Sequence, residues 1–121
     1  MNYIYLASRS PRRRELLRQI GVRFEPMMLR LAVPRGPDVD EAQQRGETAA
    51  DYVERISREK THFGLRSLSL RSLLPRPVLS ADTVVIVDGH VLGKPADKPE
   101  ASEFMRRLSG RTHEVRTCVA L

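Results

Sequence analysis

The stretch that most constrains the fold is residues 78–87, which read Val-Leu-Ser-Ala-Asp-Thr-Val-Val-Ile-Val. A run this rich in β-branched residues is typical of a strand in the middle of a sheet. Asp88 and Gly89 then predict a tight turn, and residues 90–92 return as a second strand. Asp82 interrupts the apolar run, where an ionised carboxylate is costly unless it is paired, hydrogen-bonded or bound to a metal. The pattern predicts a buried Asp82 that serves either as a structural carboxylate or as a metal ligand or general base.

A second constraint lies near the start of the chain, where an apolar strand over residues 3–7 leads directly into a helix. Ser10 is placed to cap that helix, and Pro11 suits its first position. Three cations then occupy the first turn: Arg12, Arg13 and Arg14. The positive end of the helix dipole disfavours cations there. Together with the hydroxyl of Ser8, the arginines suit an anion with several phosphates, although a solvated arginine face is an alternative.

The remaining pattern alternates strands with helices. The predicted elements are a helix to about residue 20, a strand over 22–25, a loop over 27–46, a helix capped by Thr48 and reaching Phe63, a helix capped by Asp97 and ended by Gly110, and a strand over 112–121. The apolar spacing predicts inner helix faces made of Leu16, Leu17 and Ile20 in the first helix and of Ala101, Phe104, Met105 and Leu108 in the last. This order predicts an α/β sheet covered by helices, with ligands beyond the strand ends.

Composition narrows the choice of partners and compartment. At 121 residues the chain is expected to form one domain, and its formal net charge of +6 favours acidic partners such as nucleotides or nucleic acids. Its one cysteine, Cys118, excludes an internal disulfide, and His62, His90 and His113 show no zinc-ligand spacing. No apolar run is long enough to span a bilayer, so we expect a cytoplasmic protein without a membrane partner.

Three further residues are candidates for a site. Lys94 follows the predicted hairpin on a rigid Gly-Lys-Pro turn, where its charge suits phosphate oxygens. Glu41 is the best second carboxylate, because Mg²⁺ typically takes one or two carboxylates together with substrate phosphates. Lys60 lies beside the apolar stripe of its helix, either as a snorkelling lysine or as a ligand. Such a set of cations and carboxylates suits attack by water on a nucleoside triphosphate.

Six stretches, in order, resemble the motifs of the Maf proteins. They are Leu-Ala-Ser-Arg-Ser-Pro-Arg-Arg-Arg-Glu-Leu-Leu at residues 6–17, Pro-Asp-Val-Asp-Glu at 37–41, Tyr-Val-Glu-Arg-Ile-Ser-Arg-Glu-Lys at 52–60, Ala-Asp-Thr-Val-Val at 81–85, Leu-Gly-Lys-Pro at 92–95 and Leu-Ser-Gly-Arg-Thr-His at 108–113. The resemblance covers nearly the whole chain. It implies an inosine-triphosphatase-like α/β fold with an elongated mixed sheet flanked by helices.

The resemblance also implies an activity. Members of this family are nucleoside triphosphate pyrophosphatases, which use Mg²⁺ or Mn²⁺ and release a nucleoside monophosphate and pyrophosphate. On the matching positions, phosphates are expected at Ser8, Arg12, Arg13, Lys60 and Lys94, a metal at Glu41 and Asp82, and the catalytic base at Asp82. Thr83 is also expected to bind substrate, and the Asp-Thr pair resembles the dTTP/UTP branch of the family. Because members extend beyond the position of Leu121, a single Maf-like domain over 1–121, lacking part of the C-terminal lobe, is expected.

The hydrolase interpretation rests on one spatial expectation: that Arg12 and Arg13 face Asp82 across a shared hollow. Two other functions stay open at this point. One is a catalytically impaired nucleotide-binding regulator of cell division, a role associated with the family, and the other is a small basic module that binds nucleic acid. A homodimer is one candidate assembly.

Overall fold

The computed structural model describes residues 2–27 and 42–121. They form an α/β structure whose elements are β1 (Ile4–Leu6), α1 (Pro11–Gln19), β2 (Phe24–Pro26), α2 (Ala49–Leu70), β3 (Val78–Val87), β4 (His90–Leu92), α3 (Lys98–Leu108) and β5 (Glu114–Ala120). The five strands make one mixed sheet, which confirms the predicted fold class. Within the described residues, no helix is both long and apolar enough to cross a membrane.

Strand β3 is the centre of the sheet, as its β-branched sequence predicts. β5 runs antiparallel along it from Ser80 to Ile86, while β1 pairs in parallel with its first two residues. β4 returns through the tight turn and pairs with its last three residues. β2 lies outside β1 and parallel to it. Residues that follow β1 and β4 are therefore brought to the middle of β3.

β1 and β4 lie along the same edge of β3 and leave a gap between them. Val85 pairs with β4 and with β5, so these two strands occupy opposite edges. Val87 and His90 flank a two-residue turn, so they form a hydrogen-bonded pair in which the backbone groups of Val87 point toward β4. Backbone groups of alternate residues point to the same edge, so the other odd-numbered residues of β3 point that way too. Leu79, also odd-numbered, accepts from the Ala7 N–H at 2.9 Å, which places β1 on that edge too. Residues 81–83 face no described strand there, and we call this stretch the edge gap.

Helix α2 covers one face of β3 and extends further than its sequence indicates. Its Val53 packs with Val84 and Ile86 of β3. Near its other end, Leu68 joins the buried cluster that contains Tyr5 of β1. The apolar stripe ends in sequence at Phe63, but the helix continues to Leu70 because its last turns have β1 to pack against. The predicted helix capped by Thr48 is therefore confirmed, and its predicted end at Phe63 is too early.

Three buried hydroxyl groups join α2 to β3 and β5. Ser80 Oγ donates to the Ser57 carbonyl oxygen at 2.7 Å and contacts Thr61 Oγ1. Ser57 Oγ and Thr61 Oγ1 reach the carbonyl oxygens of Cys118 and Ala120, at 3.1 and 3.2 Å. All three hydroxyls are buried, so each contact satisfies a polar group that has no water to bind. These contacts fix α2 in register against both strands.

The predicted inner faces of α1 and α3 are only partly buried: Leu17, Ala101, Phe104 and Leu108 are half-buried, whereas Leu16, Ile20 and Met105 are exposed. Neither helix contains a buried residue; Ile20 is 72% exposed and Met105 is 60% exposed. Apolar spacing shows which residues share a helix face, but not whether another element lies over that face. Val115 and Val119 of β5 are exposed as well.

The predicted helix caps are confirmed. Ser10, Thr48 and Asp97 accept, through their side-chain oxygens, from the backbone N–H groups of Arg13, Asp51 and Glu100. The first turn of α1 contains no acidic residue, so only arginine side chains lie beside the positive end of the helix dipole.

Arg55 of α2 ties the segment before the helix to its surface. Its guanidinium donates to both carboxylate oxygens of Glu47, at 2.7 and 3.1 Å, and to the Ala42 carbonyl oxygen at 2.9 Å. Glu59 accepts from the same side chain at 3.2 Å. The hydrogen bonds from Arg55 lower the pKa of Glu47, and those from Glu47 raise the pKa of Arg55.

We expect this pair to make stability depend on pH in the acidic range. Because the pKa of Glu47 is lower in the folded chain than in the unfolded one, its contribution is complete above the ordinary value of 4.5 and is lost as the pH falls through the folded value. The difference in free energy of unfolding between the wild type and Glu47→Gln should therefore shrink between about pH 6 and about pH 3. Urea denaturation at each pH measures it, and a constant difference would contradict the assignment.

Removing the Ser80 hydroxyl should destabilise the fold. Ser80→Ala loses the buried bonds to Ser57 and Thr61, so we expect the free energy of unfolding to fall by about 1–2 kcal/mol. Ser69→Ala is the matched control, because Ser69 is exposed on α2, and it should change stability by less than about 0.5 kcal/mol. Chemical denaturation of both variants provides the comparison; equal losses would show that the hydroxyl cluster does not hold α2.

Candidate functional site

The chain after β1 brings an arginine to the centre of β3. Ser8, two residues beyond β1, accepts from the Ser10 backbone N–H at 3.1 Å and from Arg13 Nη1 at 3.5 Å. Arg13 Nη2 donates to Thr83 Oγ1 at 3.2 Å. Within the described residues, no carboxylate forms an ion pair with Arg13, so both of its hydrogen-bond acceptors are neutral hydroxyls. The guanidinium is thus oriented by neutral groups, and among the described residues no acid neutralises its charge.

A second hydroxyl supports Thr83 from the neighbouring strand. Thr117 of β5 lies directly opposite Thr83 in the register, and the two Oγ1 atoms are 2.8 Å apart. Both residues are exposed, so this polar row is open to solvent.

A lysine and a carboxylate meet on the side of the sheet that α2 covers. Lys60 Nζ lies 3.3 Å from Asp82 Oδ1, and each side chain is 19% exposed. Asp82 was predicted to be buried, and it is only partly so. The ion pair explains how an apolar strand tolerates the carboxylate, and its partial exposure leaves the acid accessible.

These two groups of residues lie on opposite faces of β3. Side chains alternate along a strand, so Asp82 faces α2 whereas Thr83 faces away from it. Arg13 therefore approaches the face opposite that of Asp82, and the expectation that Arg13 faces Asp82 across one hollow is wrong in this form. Both groups border the edge gap, where β1 and β4 leave the centre of β3 uncovered.

Among the described residues, neither Arg12 nor Lys94 forms a hydrogen bond or an ion pair with either group. Arg12 is exposed and makes no hydrogen bond or ion pair within the described part of the chain. Lys94 is exposed two residues after β4, and because β4 runs antiparallel to β3, the chain that carries it leads back toward the edge gap. Glu41 lies outside the described residues.

Within the described part of the chain, Asp82 is the carboxylate at this site that could hold a metal ion. Residues 2–27 and 42–121 contain no group of three or more His, Cys, Asp or Glu side chains able to hold an ion. Asp82 binds Lys60 through one oxygen, and Oδ2 receives no hydrogen bond from any described residue. A hard oxygen of this kind fits Mg²⁺ or Mn²⁺ when a polyphosphate supplies further ligands.

Sequence reasoning missed Thr117, although its type and its place on a predicted strand were visible. The missing information was register: only the pairing of Asp82 with Cys118 sets the two threonines opposite each other. Chemically, the assembled residues offer an oriented cation, a lysine-paired carboxylate and several hydroxyls around one gap. That set suits a polyanion rather than an apolar ligand.

Comparison with known proteins is consistent with this geometry. The chain is 51% identical over 120 residues to a dTTP/UTP pyrophosphatase of Nitrosospira multiformis, covering 99% of this chain and 58% of that relative. It is 48% identical over 118 residues to a dTTP/UTP pyrophosphatase of Dechloromonas aromatica, covering 98% of this chain and 59% of the relative. A dTTP/UTP pyrophosphatase of Bordetella parapertussis is 53% identical over 118 residues, at 98% and 55% coverage.

The chain thus spans under three-fifths of the length of these curated relatives. The family model described as "Maf-like protein" matches residues 3–121, which include every element of the fold. On both grounds, this chain belongs to the family of Maf-like proteins.

Proposed function

We propose that this chain carries the phosphate-handling part of a nucleoside triphosphate pyrophosphatase, which hydrolyses dTTP, UTP or related modified nucleotides to the monophosphate and pyrophosphate. The observation that carries the proposal is the convergence on adjacent residues of β3: a lysine from α2 pairs with Asp82, and an arginine from α1 binds Thr83. The names of the relatives support the same substrate class. The proposal treats residues 1–121 as a single domain.

In this proposal the polyphosphate lies at the edge gap. Arg13 binds phosphate oxygens while Ser8 and Thr83 orient its guanidinium. Arg12 and Lys94 contribute further positive charge from the two chain segments that approach the gap. The main-chain groups of Ala81 and Thr83, which are odd-numbered like Leu79 and Val85, are directed to the same edge, where phosphate oxygens can meet them.

Asp82 acts as the general base in this proposal. Hydrolysis between the α and β phosphates needs water directed at phosphorus and a group that takes its proton. Asp82 is only partly buried, so water can reach it, and Lys60 Nζ lies 3.3 Å from its Oδ1. The same lysine balances negative charge that develops in the transition state.

Asp82 and Glu41 are the residues proposed to hold a divalent cation, Mg²⁺ or Mn²⁺. When bound, such an ion neutralises phosphate charge and lowers the pKa of its water. The Oδ2 atom of Asp82, which accepts no hydrogen bond from residues 2–27 or 42–121, supports its part in this assignment.

The nucleic-acid alternative is less well supported. Binding of single strands needs exposed aromatic rings as stacking platforms. Tyr5 is buried, Tyr3 packs edge-on against it, and Arg76 lies over the Tyr3 ring at 4.2 Å. These rings are used in packing. A cytoplasmic location and a homodimer stay predictions.

The first test is of catalysis. Pyrophosphate release from dTTP and UTP with Mg²⁺ should fall about 100-fold or more in Asp82→Asn, because the variant lacks the base, while nucleotide binding stays within about threefold. Asp88→Asn is the matched control, since Asp88 is an exposed residue of the β3–β4 turn paired with Arg111, and it should keep its activity. Nucleotide binding without turnover by the wild type would favour the regulator, and salt-sensitive binding to oligonucleotides would favour the nucleic-acid module.

The second test is of phosphate binding. Arg13→Ala should weaken pyrophosphate binding, measured by calorimetry, by about 10-fold to 100-fold, because a charge-assisted contact is lost. Arg18→Ala is the control from the same helix. Arg18 pairs with Glu15 and lies over the Phe24 ring, away from the gap, and its loss should leave the affinity within about twofold. Equal effects of the two substitutions would mean that the binding reflects net charge alone.

A further inference from the structure

Thr117 makes a side-chain contact that the proposed function does not use. It projects from β5 toward Thr83, directly opposite it in the register, with 2.8 Å between the two hydroxyl oxygens. Thr83 in turn accepts from Arg13. A continuous chain of hydrogen bonds thus runs from β5 through β3 to the helix that carries the arginines.

We propose that Thr117 is a positioning residue for the polyphosphate site: it holds the Thr83 hydroxyl in the rotamer that accepts from Arg13. This inference rests on the proposed function of Arg13. Thr117 does not touch the substrate in this proposal. It acts through Thr83, which fixes the direction of the guanidinium.

The count of hydrogens supports this role. A guanidinium has only donors, so Thr83 Oγ1 must accept from Arg13. The hydroxyl proton of Thr83 is then free to go to Thr117, or Thr117 donates to the remaining lone pair of Thr83. In both arrangements two partners hold the oxygen of Thr83, whereas with one partner it can turn to another staggered rotamer. The first arrangement also polarises Thr83 and strengthens its bond to Arg13.

The surroundings make this threonine pair distinctive. The residues that share its face on β3 and β5 are apolar: Leu79, Ala81, Val85, Val87, Val115 and Val119. Across these two strands, the pair is the one polar row on that face, and it coincides with the residue that Arg13 reaches. Because both threonines are exposed, their mutual bond contributes little to folding. A role in orienting Arg13 accounts for its position better than a role in stability.

The test compares Thr117→Val, which keeps the shape and loses the hydroxyl, with Thr117→Ser, which keeps the hydroxyl. Thr112→Val is the matched control, since Thr112 is exposed before β5 and its side chain bonds to no described residue. We expect Thr117→Val to raise KM for dTTP about threefold to tenfold with kcat changed less than about twofold, and Thr117→Ser and Thr112→Val to stay within about twofold of the wild type. In a Thr83→Val background, Thr117→Val should have no further effect on KM.

A second measurement does not depend on catalysis. Three-bond scalar couplings to the Thr83 methyl group report its χ1 rotamer, and they should show averaging in Thr117→Val but not in Thr117→Ser. Failure of the wild type to bind or hydrolyse nucleotides would defeat the proposed function, while these couplings would still decide the role of Thr117. Unchanged couplings in Thr117→Val, or an effect on KM that persists without the Thr83 hydroxyl, would overturn the inference.

Discussion

The structure depends on the attachment of α2 to the face of β3 and β5. Apolar contacts of Val53 with Val84 and Ile86 supply the hydrophobic part of this interface. The hydroxyls of Ser57, Thr61 and Ser80 supply directional bonds, including two to carbonyl oxygens of β5. Apolar packing tolerates small sliding, but a buried hydroxyl loses its partner when it shifts. This register also places Lys60 beside Asp82. Lys60 precedes Thr61 in α2, and Asp82 lies two residues after Ser80 on the same face of β3.

Alternation along β3 explains how one strand serves two kinds of contact. Asp82 belongs to the face that α2 covers, where a lysine compensates its charge. Thr83 belongs to the other face, where a hydroxyl row meets Arg13. Two consecutive residues thus present an acid and a cation-orienting group to opposite faces. Both residues border the edge gap, so the two groups are neighbours along one strand and do not face each other across the single hollow that the sequence suggested.

Much of the fold could be predicted from sequence because its signals are local. A few neighbouring residues are enough to specify the β-branched run of β3, the two-residue turn after it, and the helix caps at Ser10, Thr48 and Asp97. Three features were not predictable: the exposure of Ile20 and Met105, the length of α2, and the pairing of Thr83 with Thr117. These depend on which elements meet and in what register, and residue spacing contains neither. The site residues were predictable in part. Their chemical types indicated a polyanion site, but the sequence did not show on which face of the sheet each side chain would lie.

The edge gap has a consequence for association between chains. Unpaired backbone groups on a sheet edge normally invite strands of other molecules, which leads to aggregation. Here the opening is only three residues long and is closed at both ends, by β1 on one side and β4 on the other. An invading strand has no room to enter in register, whereas a compact anion does. The sheet can therefore offer main-chain hydrogen-bonding groups to a small molecule while denying them to another polypeptide.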